Sequence, residues 1–306
     1  MRVLVIVLVS VLGCGGGDDD GGGGGGPDGG GEPEIDGGGG GAWGAPADGQ
    51  FTATEARFAQ GDQFGAVTGT FVDERPQYHE LAEESGECRL WLYHVAACDE
   101  GCAGTGICDA EGTCIPYPQH VQAGDVTIAG VTLEDSEYGY VPGGAVDSEL
   151  FAPGDAVSLS AAGGDGSAAF ALDAEGVAPI ALDLVNAGGE DEDALVLEAG
   201  ADLEVTWEAS DGAARVRLEL LTDNSGHGYP VLEMIECESA DDGSITVPQS
   251  MIDAMPAKAY QNICAGSDCP PSSLMRFTED RKTVGDHDVA LRVGFQQYFI
   301  LVVNDG

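Results

Sequence analysis

The chain has 306 residues, of which 54 are acidic and only 11 basic, for a formal net charge of −43. Nucleic-acid binding runs on neutralising phosphates with Lys and Arg, so this composition excludes it, and it equally disfavours direct adhesion to anionic lipid. The 49 glycines and sparse lysines argue against a helical protein and for short strands joined by turns.

Met1 and Arg2 precede an apolar run from Val3 to Leu12, broken only by Ser10. A run of this length is too short to span a bilayer as a helix, which takes roughly 20 residues, and matches the apolar core of a secretory leader. It ends in Val11-Leu12-Gly13-Cys14, which resembles the lipobox of bacterial lipoproteins. The resemblance implies a signal peptide over 1–13, removed so that Cys14 becomes the acylated first residue and tethers the chain to a bilayer. Several acyl chains hold firmly where one gives marginal binding. Gly15, where an Asp marks inner-membrane retention in enterobacterial lipoproteins, favours the outer membrane, with the head facing the periplasm or the cell surface.

Residues 15–41 contain 17 Gly, 7 acidic residues, 2 Pro and one Ile, too little apolar surface to offset the entropy of ordering. Together with Cys14 they read as a disordered, self-repelling tether (14–41). Residues 42–63 carry Trp43, Phe51 and Phe58 around Thr-Ala-Thr-Glu-Ala-Arg, and part of this segment reads as a short helix. Strands are expected at 64–73 and 87–96, then a Cys-rich loop at 98–118, the whole forming an N-terminal segment over 42–120.

From 121 to 306 the pattern is a β core packed on that segment. Apolar residues alternate in 126–133, 156–161 and 168–172, with further strands at 195–199, 202–208, 214–221, 230–237 and 244–247. Arg215-Val-Arg-Leu-Glu-Leu-Leu221 puts charge on one face and apolar groups on the other. Pro248 to Met255 reads as a short helix, started near one proline and ended by Pro256. Strands at 273–278 and 288–303 close the chain. The fold class expected is all-β: an antiparallel β-sandwich-like core with a disulfide-rich loop and few short helices.

Setting Cys14 aside for lipid leaves Cys88, Cys98, Cys102, Cys108, Cys114, Cys237, Cys264 and Cys269. In an oxidising compartment an even number implies four disulfides. Five of these lie early and three late, so at least one bridge crosses between the groups if all pair. Zinc is the competing use of clustered Cys, and export works against free thiolates.

The block from Cys88 to Met255 resembles uncharacterised outer-membrane lipoproteins of myxobacterial type. The matching pieces are Cys108 to Pro118, Ala123-Gly-Asp-Val-Thr-Ile-Ala-Gly130, Ala162-Gly-Gly164 with Ala169-Phe170, and Cys237 with Asp241 to Pro248. These motifs are structural, and the resemblance carries no established activity.

No catalytic constellation stands out. Ser225-Gly226-His227 lacks the spacing of a nucleophile–base pair, and there is no Gly-x-Ser-x-Gly elbow. His79, His94, His120, His227 and His287 show no His-Glu-x-x-His spacing. Calcium is the one cofactor the acidic clusters suggest, with Glu190, Asp191, Glu192 and Asp193 the first choice. Asp241-Asp242 and Asp286 with Asp288 come behind them, and none follows the EF-hand pattern. The expected role is a membrane-anchored envelope module, structural or binding a protein or glycan partner without catalysis. An exported hydrolase or carbohydrate-active domain is the alternative.

Overall fold

The computed structural model describes residues 47–58, 61–73, 79–93, 98, 102, 106–108, 112–136, 139–182, 194–198, 200–210, 212–221, 233–255 and 272–304. The strands in chain order are β1 (Gly49–Phe58), β2 (Phe64–Phe71), β3 (His79–Ser85), β4 (Cys88–Tyr93), β5 (Gly106–Cys108) and β6 (Cys114–Pro116). Then come β7 (Val126–Ile128), β8 (Val131–Ser136), β9 (Gly139–Pro142), β10 (Ala156–Ala161), β11 (Phe170–Glu175) and β12 (Ala194–Glu198). The last are β13 (Leu203–Thr206), β14 (Arg215–Leu221), β15 (Glu233–Ala240), β16 (Ser244–Val247), helix α1 (Gln249–Ala254), β17 (Ser272–Val284) and β18 (His287–Asn304).

Fourteen of these strands form one sheet, in the order β11-β10-β7-β8-β9-β2-β1-β18-β17-β14-β15-β4-β3, with β12 added beside β18. The mostly-β reading therefore holds. Two pairings depart from a purely antiparallel plan: β1 and β12 both run parallel to β18. At 18 residues β18 is long enough to pair with β1 along its first part and with β12 along its last. Parallel neighbours need long crossovers, and here nearly the whole chain intervenes between β1 and β18.

The segment read as partly helical is the central strand β1. Its Ala, Glu and Arg favour a helix locally, but Phe51 and Ala53 alternate with Thr52 and Thr54, and β2 and β18 pair with it on both sides. Tertiary pairing outweighs a propensity worth a few tenths of a kcal/mol per residue. The single strand read at 126–133 is a hairpin. Ala129 and Gly130 both take positive φ (51° and 79°), the geometry of a tight turn that suits the strand twist.

One face of the sheet, the inner face, covers two apolar cores that share the β17–β18 hairpin. Phe51, Val67, Phe71, Ile128, Tyr140, Leu159, Leu172, Leu291 and Val293 lie in the first. Leu90, Trp207, Val216, Leu218, Ile235, Ile245, Leu274, Phe295 and Phe299 lie in the second, with α1 contributing Met251 and Ile252. Fully burying one such side chain stabilises by roughly 1.5–3 kcal/mol. Around the first core the sheet curls until β11 lies beside β17. There the Asp173 and Glu175 amides donate to Asp280 Oδ2 (3.0 Å) and Thr278 Oγ1 (3.1 Å), so side chains satisfy an edge that would otherwise be open.

Between the cores, Arg276 is 2 % exposed and binds Asp241 side-on, Nε to Oδ2 at 2.8 Å and Nη2 to Oδ1 at 3.2 Å. It also donates to the carbonyls of Ala178, Pro179 and Glu208, fastening two loop segments to the sheet. Asp241 accepts from Trp207 Nε1 and Ser210 as well. Burial alone would raise its carboxyl, but these bonds outweigh that and hold it below the ordinary range.

Three disulfides join described residues: Cys88–Cys237, Cys98–Cys108 and Cys102–Cys114. The first is the bridge between early and late groups that their odd numbers require. It links β4 to β15 directly across the ladder, its ends 149 positions apart in sequence. Cys264 and Cys269 lie outside the described residues, as does Cys14. The other two bridges hold the small β5–β6 hairpin. β1, β2 and β4, all before residue 121, pair with strands that come after it, and β3 joins the sheet through β4, so the sheet runs unbroken across that position.

Candidate functional site

The opposite, outer face of the sheet is where side chains converge without an apolar layer over them. Strict alternation decides which residues reach it. On β1 they are Gln50, Thr52, Thr54 and Ala56, and on β2 Phe64, Ala66 and Thr68, while Phe51, Ala53 and Val67 turn into the core. On β18 they are Arg292, Gln296 and Tyr298, on β17 Met275, and on β14 Arg217 and Glu219. These residues line a groove of about 260 Å³.

The shape follows from side-chain size. β1 contributes a floor of short residues, and Thr52 and Thr68 hydrogen-bond across it at 2.9 Å. Long side chains from β18 and β14 rise on one side. At one end Phe64 stacks on Tyr298 with ring centroids 6.4 Å apart and planes 8° from parallel, and Phe58, half exposed, packs on the same ring at 5.4 Å. Aromatic rings of this kind offer a flat apolar face beside polar groups.

The polar lining is held in place. Tyr298 Oη donates to Gln296 Oε1 (3.0 Å), Gln296 Nε2 to Ser273 Oγ (2.9 Å), and Ser273 Oγ to Glu219 Oε2 (3.4 Å). Burial, with the Glu219 charge adding to it, pushes the Tyr298 hydroxyl up to about 12, so it is a neutral donor and acceptor across the physiological range.

Behind the groove the outer face carries a band of ion pairs. Arg217 meets Glu238 (2.7 Å), Glu236 (3.4 Å) and Glu219 (3.8 Å), and Arg215 also pairs with Glu238. Arg292 and Arg281 share Glu279 (2.8 and 2.6 Å), Arg281 reaches Asp288 (3.0 Å), and Arg89 pairs with Glu84 (3.6 Å). Three of these arginines, Arg215, Arg217 and Arg292, lie over the fully buried Phe277 ring, Arg292 closest at 4.6 Å. Glu236 sits directly opposite Glu219 in the β14–β15 ladder. Burial drives its carboxyl up to about 7 against the pull of Arg217, and the neighbouring Glu219 and Glu238 push the same way.

The residues singled out from sequence lie elsewhere. The calcium candidates Glu190–Asp193 and the Ser225–His227 segment fall outside the described residues, as does His94. Asp241 is bound by Arg276, Trp207 and Ser210, and Asp288 by Arg281. Among the described residues no group of three or more His, Cys, Asp or Glu side chains is placed to hold a metal ion. His120 pairs with Asp135 (2.7 Å), and His79 lies 5.8 Å from the Tyr93 ring. His287 packs edge-on against Phe71, ring centroids 5.2 Å apart.

Of the groove, sequence reasoning reaches only the charged face of 214–221. The outward set Gln50-x-Thr52-x-Thr54-x-Ala56 carries the same period-two signal, hidden behind a helix-favouring composition. No helix among the described residues is long and apolar enough to cross a membrane. Comparison with protein-family models, with curated proteins and with solved structures gave no match for this chain.

Proposed function

We propose that the chain is a lipid-anchored envelope lipoprotein whose folded head is a non-catalytic interaction module, binding a glycan in the groove along β1. One observation carries the glycan reading: an aromatic wall, Phe64 and Tyr298 nearly parallel with Phe58 tilted against Tyr298 at its end, stands beside Thr, Gln and Glu side chains of which Thr52, Gln296 and Glu219 are already hydrogen-bonded. A sugar ring presents an apolar C–H face and a rim of hydroxyls, and this surface has a counterpart for each. A preorganised lining also lowers the entropy lost on binding.

The anchor rests on Cys14 and the leader before it, and the Gly/Asp-rich segment of 15–41 is the spacer that holds the head off the bilayer. Cys14→Ser is expected to abolish acylation and leave an uncleaved precursor; normal lipidation of that variant would refute the anchor. For the head, the disulfide-intact protein is screened against an array of oligosaccharides beside Tyr298→Ala. The expected result is saccharide binding that the substitution reduces at least about tenfold, a loss of about 1.4 kcal/mol. Binding that Tyr298→Ala leaves intact would place the site elsewhere, and release of new reducing ends would turn the reading towards a hydrolase.

A further inference from the structure

Resting on that glycan reading, we infer that the groove selects uncharged saccharides and rejects acidic ones. The chain concentrates its scarce cations here: of the eight basic residues described, Arg89, Arg215, Arg217, Arg281 and Arg292 lie on the outer face. In so acidic a protein this placement invites an anion-binding reading, and the pairing argues against it. Each of the five contacts a carboxylate, from a set comprising Glu84, Glu219, Glu236, Glu238, Glu279 and Asp288. This ion-paired set is thus close to electroneutral, and more nearly so when Glu236 holds its proton.

Recruiting Arg217 or Arg292 to a ligand carboxylate would strip a partner from Glu238 or Glu279, whose side chains are only 1 % and 10 % exposed. Glu238 would keep only Arg215 and Glu279 only Arg281, and a buried carboxylate that loses part of its compensation is destabilised by more than the new, more exposed pair returns. Beyond the groove, the formal charge of −43 repels an acidic polymer approaching it. What remains well matched is a neutral ligand that exchanges hydroxyl hydrogen bonds with Thr52, Thr54, Gln296 and Tyr298.

The test is equilibrium binding by the disulfide-intact protein of neutral gluco-, xylo- and manno-oligosaccharides against oligogalacturonate and oligoalginate. Each is measured at about 50 and 500 mM NaCl, a span over which surface charge interactions are largely screened out. The expected result is that a neutral probe binds with less than about twofold change across this range, and that acidic probes bind at least about tenfold more weakly. Glu279→Gln, which removes the carboxylate shared by Arg292 and Arg281, is expected to gain salt-sensitive binding of the acidic probes. Should that variant lose cooperative unfolding, Glu219→Gln gives the same readout by removing the acid of the lining.

Acidic probes that bind the wild type more tightly than neutral ones, with affinity lost in salt and in Tyr298→Ala, would overturn the selectivity and leave the glycan reading standing. Neutral binding that falls steeply with salt would also overturn it. If no saccharide of either kind binds, the glycan reading falls first and the inference with it.

Discussion

At Glu236 a buried carboxylate faces Glu219 across two paired strands, with Glu238 two residues further along. Like charges directly opposite in a ladder destabilise it, and burial lifts this carboxyl from its ordinary 4.5 to about 7. Between those two pH values the native state holds a proton that the unfolded chain has released, so this group's contribution to stability declines as pH rises through that window. Glu236→Gln removes the dependence. Relative to wild type it is expected to be more stable by about 1–3 kcal/mol above pH 7, since each tenfold change in proton affinity is worth about 1.36 kcal/mol, with the gap closing towards pH 4. Urea denaturation of both proteins at several pH values checks this, and a gap independent of pH would contradict it. Tyr298 tests the groove at the same scale. Tyr298→Phe keeps the stack on Phe64 and loses only the hydroxyl, so in titration calorimetry it should bind more weakly than wild type and more tightly than Tyr298→Ala.

β1 and β2 show how sheet geometry makes one residue serve both faces. Gly69 on β2 lies inward, and a Cβ there would fall 2.3 Å from Phe51 Cδ1. Gly69→Ala should therefore push Phe51 out of the first core and cost about 1–3 kcal/mol, the usual range for overpacking. It should also displace Thr52 and Thr54, which point the other way on the same strand. A stability scan reads the first effect, and unchanged stability would contradict the close approach. Much of the fold is legible in the chain. The alternation in 156–161, 168–172 and 214–221 marks strands, and the prolines at 248 and 256 bracket α1. β1 is not legible, because Glu55-Ala56-Arg57 resembles a helix until its neighbours pair with it. The β7–β8 turn hides inside a continuous apolar pattern. Nor is the groove legible, because Thr54, Glu219 and Tyr298 meet only through the β1–β18–β17–β14 register, which local patterns do not encode.

Over the whole molecule, two cores share one hairpin, and the strands that bind them come from opposite ends of the sequence. The pairing of β1 with β18 and the Cys88–Cys237 bridge are both long-range closures. Removing that bridge in the Cys88→Ala, Cys237→Ala double variant frees a loop of 149 residues, and a cost of about 2–5 kcal/mol is expected, read by denaturant unfolding. The same architecture keeps the inner face occupied by the cores and leaves the outer face to the groove, so a ligand should be felt on one side of the sheet alone. Backbone amide NMR of the labelled protein titrated with neutral oligosaccharides measures this most directly. Shifts are expected only at residues lining the groove on β1, β2, β14, β17 and β18, above all Thr54, Glu219, Gln296 and Tyr298. Shifts clustered instead on the loops, on β3 or on the β5–β6 hairpin, or the absence of any shift, would contradict a glycan site on the outer face.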